Sequence, residues 1–261
     1  MSARMPPGYA LVSFDTIDST MDEARRQAAQ GVSGPLWIIA QSQTKGRGRR
    51  SRAWESGSGN LLCTLLLNPG VTAAEAAKLS FLSALCVGET LDHFLGTPSR
   101  IQYKWPNDVL LDGRKAAGIL LESVSGSSGA MAWLSIGIGI NLSQHPESPP
   151  PAPEGAGPAS WPATSLRAAG VDAPSPHGAL EVLAARFADW LTRWRQQGFA
   201  PVKAAWLARA ARMGEAIEVR LDKETLPGIF SALDESGALV LTLADKTVRL
   251  ISAGDVFFPE K

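Results

Sequence analysis

Between Ile101 and Leu142 the chain carries three apolar runs, IQYKW, DVLLDGRKAAGILLESV and AMAWLSIGIGINL, and the second is broken by Asp112-Gly113. An Asp-Gly pair between apolar runs is the chemistry of a two-residue turn, so the flanking runs must pair antiparallel. YALVSF (9–14), LWIIA (36–40) and LLCTLLL (61–67) read as further strands. Asp18-Ser19-Thr20 offers N-cap chemistry for a helix through MDEARRQAAQ, ending at Gly31. Residues 73–95 place Leu79, Leu82, Leu85 and Leu95 broadly on one face of a single long helix, and 177–195 and 199–211 are also helical in pattern. Strands and helices without strict alternation predict an α+β fold, a sheet covered by helices rather than a doubly wound parallel one.

From Gly214 the texture changes to short strands (EAIEVRL, GIFSALD, ALVLTL, TVRLI, DVFF) with turn residues between them, which predicts a small β-barrel. The expected organisation is a catalytic domain over 1–212 and a barrel domain over 213–261. Lys plus Arg and Asp plus Glu are 25 each, so no global field draws the molecule to nucleic acid, and any basic site must be local. Cys63 and Cys86 stand in apolar contexts that suit buried thiols in a reducing compartment better than a disulfide or a zinc site. The N-terminus has no signal-peptide core and no apolar run reaches membrane-spanning length, so a cytoplasmic location without a membrane partner is expected. Seven prolines between Gln144 and Pro162 predict an irregular surface loop that carries no chemistry.

Four segments are chemically unusual. In KGRGRRSRAW (45–54) guanidinium groups can bind carboxylates or phosphates bidentately, and Gly46 and Gly48 let the backbone pass close to a ligand. Taken alone, such a run is more often a solvated basic loop or a nucleic-acid patch. Ser51 occupies the third-glycine position of a dinucleotide fingerprint, which rejects that reading, and the motifs of P-loop, zincin and nucleophile-elbow enzymes are missing. Lys104-Trp105-Pro106-Asn107-Asp108 combines a cation, an indole, an amide and a carboxylate able to hold Mg²⁺, and it also reads as a plain turn with an Asx cap. Lys115 lies on an apolar strand, in RKAAGILLE, where a lysine needs a partner. Gly137 and Gly139, in GIGINL, weaken a strand unless another group approaches closely, the alternative being a bulge.

In this order GRGRRSRAW, KWPNDVLL, RKAAGILLE and GIGINL, preceded by DSTMDEA (18–24) and followed by the terminal strands, resemble the biotin protein ligases along nearly the whole chain. The resemblance implies a mixed, mostly antiparallel sheet of the class II synthetase-like lipoate/biotin ligase type, followed by an SH3-like barrel. It implies activation of biotin by ATP and Mg²⁺ to biotinyl-5′-AMP, then transfer to a lysine of a carboxylase's biotin carboxyl carrier domain. With the first strand near Tyr9, the expectation is the short form without a DNA-binding segment, acting as monomer or homodimer. Carried over by position, Lys115, Arg47, Arg49 and Asp108 would be catalytic. Ser19, Thr20, Met21, Gln43, Gly46, Arg47, Gly48, Arg49, Lys115, Gly118 and Gly137 would hold biotin. Arg49, Trp54, Lys104, Asn107, Asp108, Lys115 and Asn141 would hold ATP, and Asp108 the metal. Three positions depart from the pattern: Met21 stands where some relatives have Asn, Ser51 where Gly is usual, and an arginine is missing after the last strand. Rival readings are a lipoate or other acyl-acid ligase, a non-catalytic biotin sensor and a nucleic-acid module.

Overall fold

The structure, a computed structural model, describes residues 3–55, 57–97, 100–125, 131–147 and 161–258. Seven strands form the main sheet: β1 (Ala10–Ile17), β2 (Leu36–Gln43), β3 (Leu61–Leu67), β4 (Ile101–Lys104), β5 (Asp108–Leu111), β6 (Arg114–Ser125) and β7 (Met131–Ile140). Their order is β1-β2-β3-β7-β6-β5-β4, with β1 and β2 parallel and every other pair antiparallel. The sheet is therefore mixed and mostly antiparallel. The β5–β6 turn forms as its residues dictate, with Asp112 at φ 50° and Gly113 at φ 74°.

Because side chains alternate along a strand, the two faces of this sheet separate cleanly. Trp37, Ile39, Leu65 and Ile138 belong to a large core with α3 (Leu79–Leu95), α4 (Pro176–Gln197) and α5 (Ala200–Leu207), where the Trp37 and Phe187 rings meet edge-on at 5.9 Å. Leu36, Ile38 and Leu66 pack instead against Ala24 of α1 (Thr20–Ala29). That second face carries the cleft. The α1 helix starts where its cap chemistry places it: the Ser19 hydroxyl oxygen accepts from the Met21 N–H at 3.2 Å, with Asp22 and Glu23 in the first turn.

The single helix expected over 73–95 is instead two, α2 (Ala73–Ala77) and α3, meeting at Lys78. Thr72 caps the short piece, and α3 is buried almost all round rather than amphipathic, because α4 and α5 cover the side that would otherwise face water. The second sheet has the order β11-β10-β9-β8-β12, from β8 (Ala216–Arg220), β9 (Thr225–Leu233), β10 (Leu239–Thr242), β11 (Val248–Ile251) and β12 (Asp255–Phe257). All four of its pairings are antiparallel. It meets the main sheet through Trp206, which lies against Phe81, Tyr103 and Phe230, and through a bond from Trp105 Nε1 to the Gly237 carbonyl at 3.1 Å. Cys63 and Cys86 are free and buried, and burial pushes both thiols up.

Candidate active site

A single cleft brings together Ser19, Thr20, Met21, Gln43, Arg47, Gly48, Arg49, Trp54, Lys104, Asn107, Asp108, Lys115, Gly118, Gly137 and Asn141, so fifteen of the sixteen residues singled out from the sequence share it. Gly46 lies outside its lining, where its carbonyl accepts the Trp54 N–H at 3.0 Å.

The floor is built by strand glycines. Cross-strand rows on this face run Thr64–Gly137–Leu120 and Leu62–Gly139–Gly118. A Cβ at Gly139 would stand 2.3 Å from the Trp54 ring, and one at Gly137 would stand 2.6 Å from Met21 Sδ. The glycines are thus not bulges but seats, letting an indole and a thioether lie directly on the backbone.

At one end, Thr20 donates through its backbone N–H (2.8 Å) and its hydroxyl (3.1 Å) to Gln43 Oε1. Ser19 and Thr20 are almost fully buried. This end offers uncharged hydrogen-bonding groups beside the apolar Met21 and Leu62.

The middle is charged. Lys115 Nζ lies 2.6 Å from Asp108 Oδ1, and Lys104 Nζ lies 3.7 Å from Asp108 Oδ2. Burial would raise the Asp108 carboxyl, but Lys115 and Lys104 outweigh it and hold it below the usual range. Burial also draws Lys104 down. The Lys115 ammonium sits 5.6 Å over the Trp54 ring, and Lys104 lies 5.6 Å over that of Trp161.

The basic loop folds over the cleft and is fastened at two points. Arg47 forks onto Asp22 (2.8 and 3.0 Å) and also reaches Glu122 at 3.2 Å, so its guanidinium is engaged by the protein's own carboxylates. Arg49 donates to Asn107 Oδ1 and the Gly254 carbonyl, each at 3.3 Å, and burial draws its guanidinium down. Asp255 then takes Arg52 at 2.5 Å, Arg50 at 3.3 Å and Arg49 at 3.7 Å. Two amides expected to meet nucleotide are partly committed: Asn107 Nδ2 donates to the Ile119 carbonyl at 2.6 Å, and Asn141 Nδ2 to that of Thr164 at 3.0 Å.

Sequence reasoning missed three groups here. Asp255 had been read only as a strand residue. Pro146 and Trp161, at the two ends of the proline-rich stretch expected to carry no chemistry, both line the cleft. Trp161 is held there because Pro162 and Thr164 bond the backbone of Lys115, and its indole N–H donates to the Gly113 carbonyl at 2.6 Å. A tryptophan amid prolines was the available signal. Most of that stretch, 148–160, lies outside the described residues.

No cluster of three or more His, Cys, Asp or Glu able to hold a metal occurs among the described residues, so any divalent ion here would lean on ligand oxygens. The arrangement can bind an uncharged polar ring at one end and place two anions among Lys115, Lys104 and Arg49.

Two family models match the chain, the Biotin/lipoate A/B protein ligase family over residues 13–141 and the Biotin protein ligase C terminal domain over residues 213–258. The chain is 43% identical over 241 residues to a Biotin--[acetyl-CoA-carboxylase] ligase of Paracoccus denitrificans, covering 92% of this chain and 97% of that protein. It is 30% identical to the Bifunctional ligase/repressor BirA of Bacillus subtilis, over 94% of this chain and 73% of that one. Among solved structures it resembles the biotin protein ligase of Aquifex aeolicus in complex with biotin and ATP, with TM-score 0.76 at 27% identity, covering 95% of this chain and 97% of the other.

Proposed function

The chain belongs to the biotin protein ligase family, and from that premise we propose how its residues divide the work. It is an ATP-dependent ligase: the biotin carboxylate attacks the α-phosphorus of ATP and pyrophosphate leaves, then an acceptor lysine amine attacks the acyl carbon and AMP leaves. A carboxylate acylates an amine only after such activation, and the first step brings two anions together. Cations positioned beforehand offset that repulsion and the charge developing at phosphorus.

One observation carries the assignment of roles: a neutral hydrogen-bonding end, made by Ser19, Thr20 and Gln43, opens onto Lys115, Lys104 and Arg49 within one cleft. The ureido ring of biotin has two donors and one acceptor and suits the neutral end. Its acid group then reaches toward Lys115, which would hold the carboxylate against the α-phosphate. Trp54 supplies an aromatic surface for the adenylate, and Lys104 and Arg49 supply phosphate contacts. Asp108, held ionised by Lys115 and Lys104, is the carboxylate that would hold a Mg²⁺ ion carried in with ATP, which would neutralise phosphate charge. Arg47, by its fork onto Asp22 and Glu122, supports a tethering role for the loop rather than a direct grip on ligand.

The acceptor is the biotin carboxyl carrier domain of a carboxylase. The reading extends to two domains, 1–212 and 213–261, working in the cytoplasm. No helix among the described residues is long and apolar enough to cross a membrane. The test is incubation with ATP, Mg²⁺, a carrier domain and either biotin or lipoate, followed by intact mass. A single biotinyl addition with biotin alone is the expected result, and Lys115→Ala should stop it. Addition of lipoate instead, or none of either, would overturn the reading.

A further inference from the structure

Thr64 is fully buried on β3 and does not line the cleft, yet its hydroxyl donates to Thr20 Oγ1 at 2.8 Å. Thr20 in turn passes its own proton to Gln43 Oε1 at 3.1 Å, and the Thr20 backbone N–H donates to that same oxygen at 2.8 Å. Proton bookkeeping fixes the direction of the whole chain. A backbone N–H only donates, so the Gln43 atom beside it is the amide oxygen. A threonine hydroxyl has one proton, and that of Thr20 is committed to Gln43. The proton between Thr64 and Thr20 is therefore the one on Thr64.

The consequence reaches the ligand. With Oε1 saturated, Gln43 keeps Nε2–H, which has no bonded partner among the described residues, to offer the cleft it lines. Ser19 is polarised in the same sense, because its oxygen accepts from the Met21 N–H at 3.2 Å and its proton is left over. Both groups are donors at this end of the cleft.

We propose that Thr64 is a positioning residue that reinforces the polarity set by the Thr20 backbone N–H, so that this subsite presents donors to the ring carbonyl of biotin and selects a cyclic urea over a cyclic guanidine. This rests on the reading that Ser19, Thr20 and Gln43 receive the ureido ring. Without the Thr64 proton, Thr20 loses the donor that holds its rotamer, its hydroxyl proton is no longer aimed at Gln43, and only the Thr20 backbone N–H is left to hold the amide oxygen inward. A buried relay that holds the orientation of a recognition group rejects the wrong ligand by leaving it unpaired.

The discriminating probe is 2-iminobiotin, whose protonated guanidinium is a donor where biotin has its carbonyl. Pyrophosphate exchange would be measured with each acid for wild type, Thr64→Val, which keeps the shape but loses the hydroxyl, and Thr64→Ser, which keeps the hydroxyl. Wild type should prefer biotin strongly. Thr64→Val should narrow the ratio of kcat/KM values by about tenfold, mostly through KM, and Thr64→Ser should restore it. If Thr64→Val left that ratio unchanged, whether or not it weakened both acids equally, Thr64 would be a packing residue and the inference would fail. Should the valine variant melt below the assay temperature, Thr64→Ala removes the same proton and is read in the same way. Absence of biotin-driven exchange in wild type would instead sink the functional reading.

Discussion

A carboxylate as enclosed as that of Asp108 stays ionised because Lys115 and Lys104 face it. A carboxyl held lower in the folded than in the unfolded chain, where it titrates near 3.9, adds stability that is present at neutral pH and lost as pH falls below about 4. Asp108→Asn should therefore cost about 2–3 kcal/mol at pH 7, less than for a fully buried pair because Lys115 is partly exposed, and the deficit should shrink at pH 3. Urea unfolding at the two pH values would check this, and an equal deficit at both would count against the ion pair. Lys115 was legible in the sequence because a lysine on an apolar strand needs a partner. Thr64 was not, since one hydroxyl within LLCTLLL reads as any other strand position until Thr20 is brought onto it by folding. Met21 is a related case: at the position where Asn occurs in some relatives, its thioether rests on the backbone at Gly137.

At the scale of elements, the loop 45–54 and the last strand act together. Asp255 of β12 gathers Arg49, Arg50 and Arg52 from a segment some 200 positions away, so a carboxylate read as part of an ordinary strand fastens the cover of the cleft. A mixed anhydride hydrolyses where water reaches it and escapes where the cover opens. Asp255→Ala should raise tryptic cleavage within 47–52 and release adenylate that labels lysines of bystander proteins, with Arg49→Gly acting similarly. Both effects should be several-fold, and Asp255→Glu should suppress them. Labelling confined to the carrier domain in both variants would refute a role in containment. Composition identified this segment as a loop but gave no hint of its anchor, because partners so remote in sequence leave no local pattern. The break at Lys78 escaped for a different reason: its flanks share a helical pattern, and only the covering α4 and α5 show that α3 is buried on nearly every side.

At the scale of the molecule, strand existence was readable and strand order was not. The alternation and turn residues marked the strands, whereas the parallel pairing of β1 with β2 and the adjacency of β3 and β7 depend on long-range contacts. The two sheets are joined by aromatic packing, in which Trp206 is fully buried between Phe81, Tyr103 and Phe230. Trp206→Ala should cost about 3–5 kcal/mol and lower Tm by roughly 10 °C, measured by calorimetry. Because Asp255 and the arginines it holds lie across this same junction, loosening it should also raise adenylate release.

Trp54 rests against the strand backbone at Gly139 and Gly118 with a lysine ammonium 5.6 Å from the centre of its ring, inside the chamber where charge is rearranged. An indole so placed is an optical gauge. Ultraviolet emission depends on nearby charge and wetting, so each arrival and departure should register as a change in brightness or colour, without any label attached. Replacing Trp54 with phenylalanine should silence most of that signal while the other indoles of the protein continue to glow.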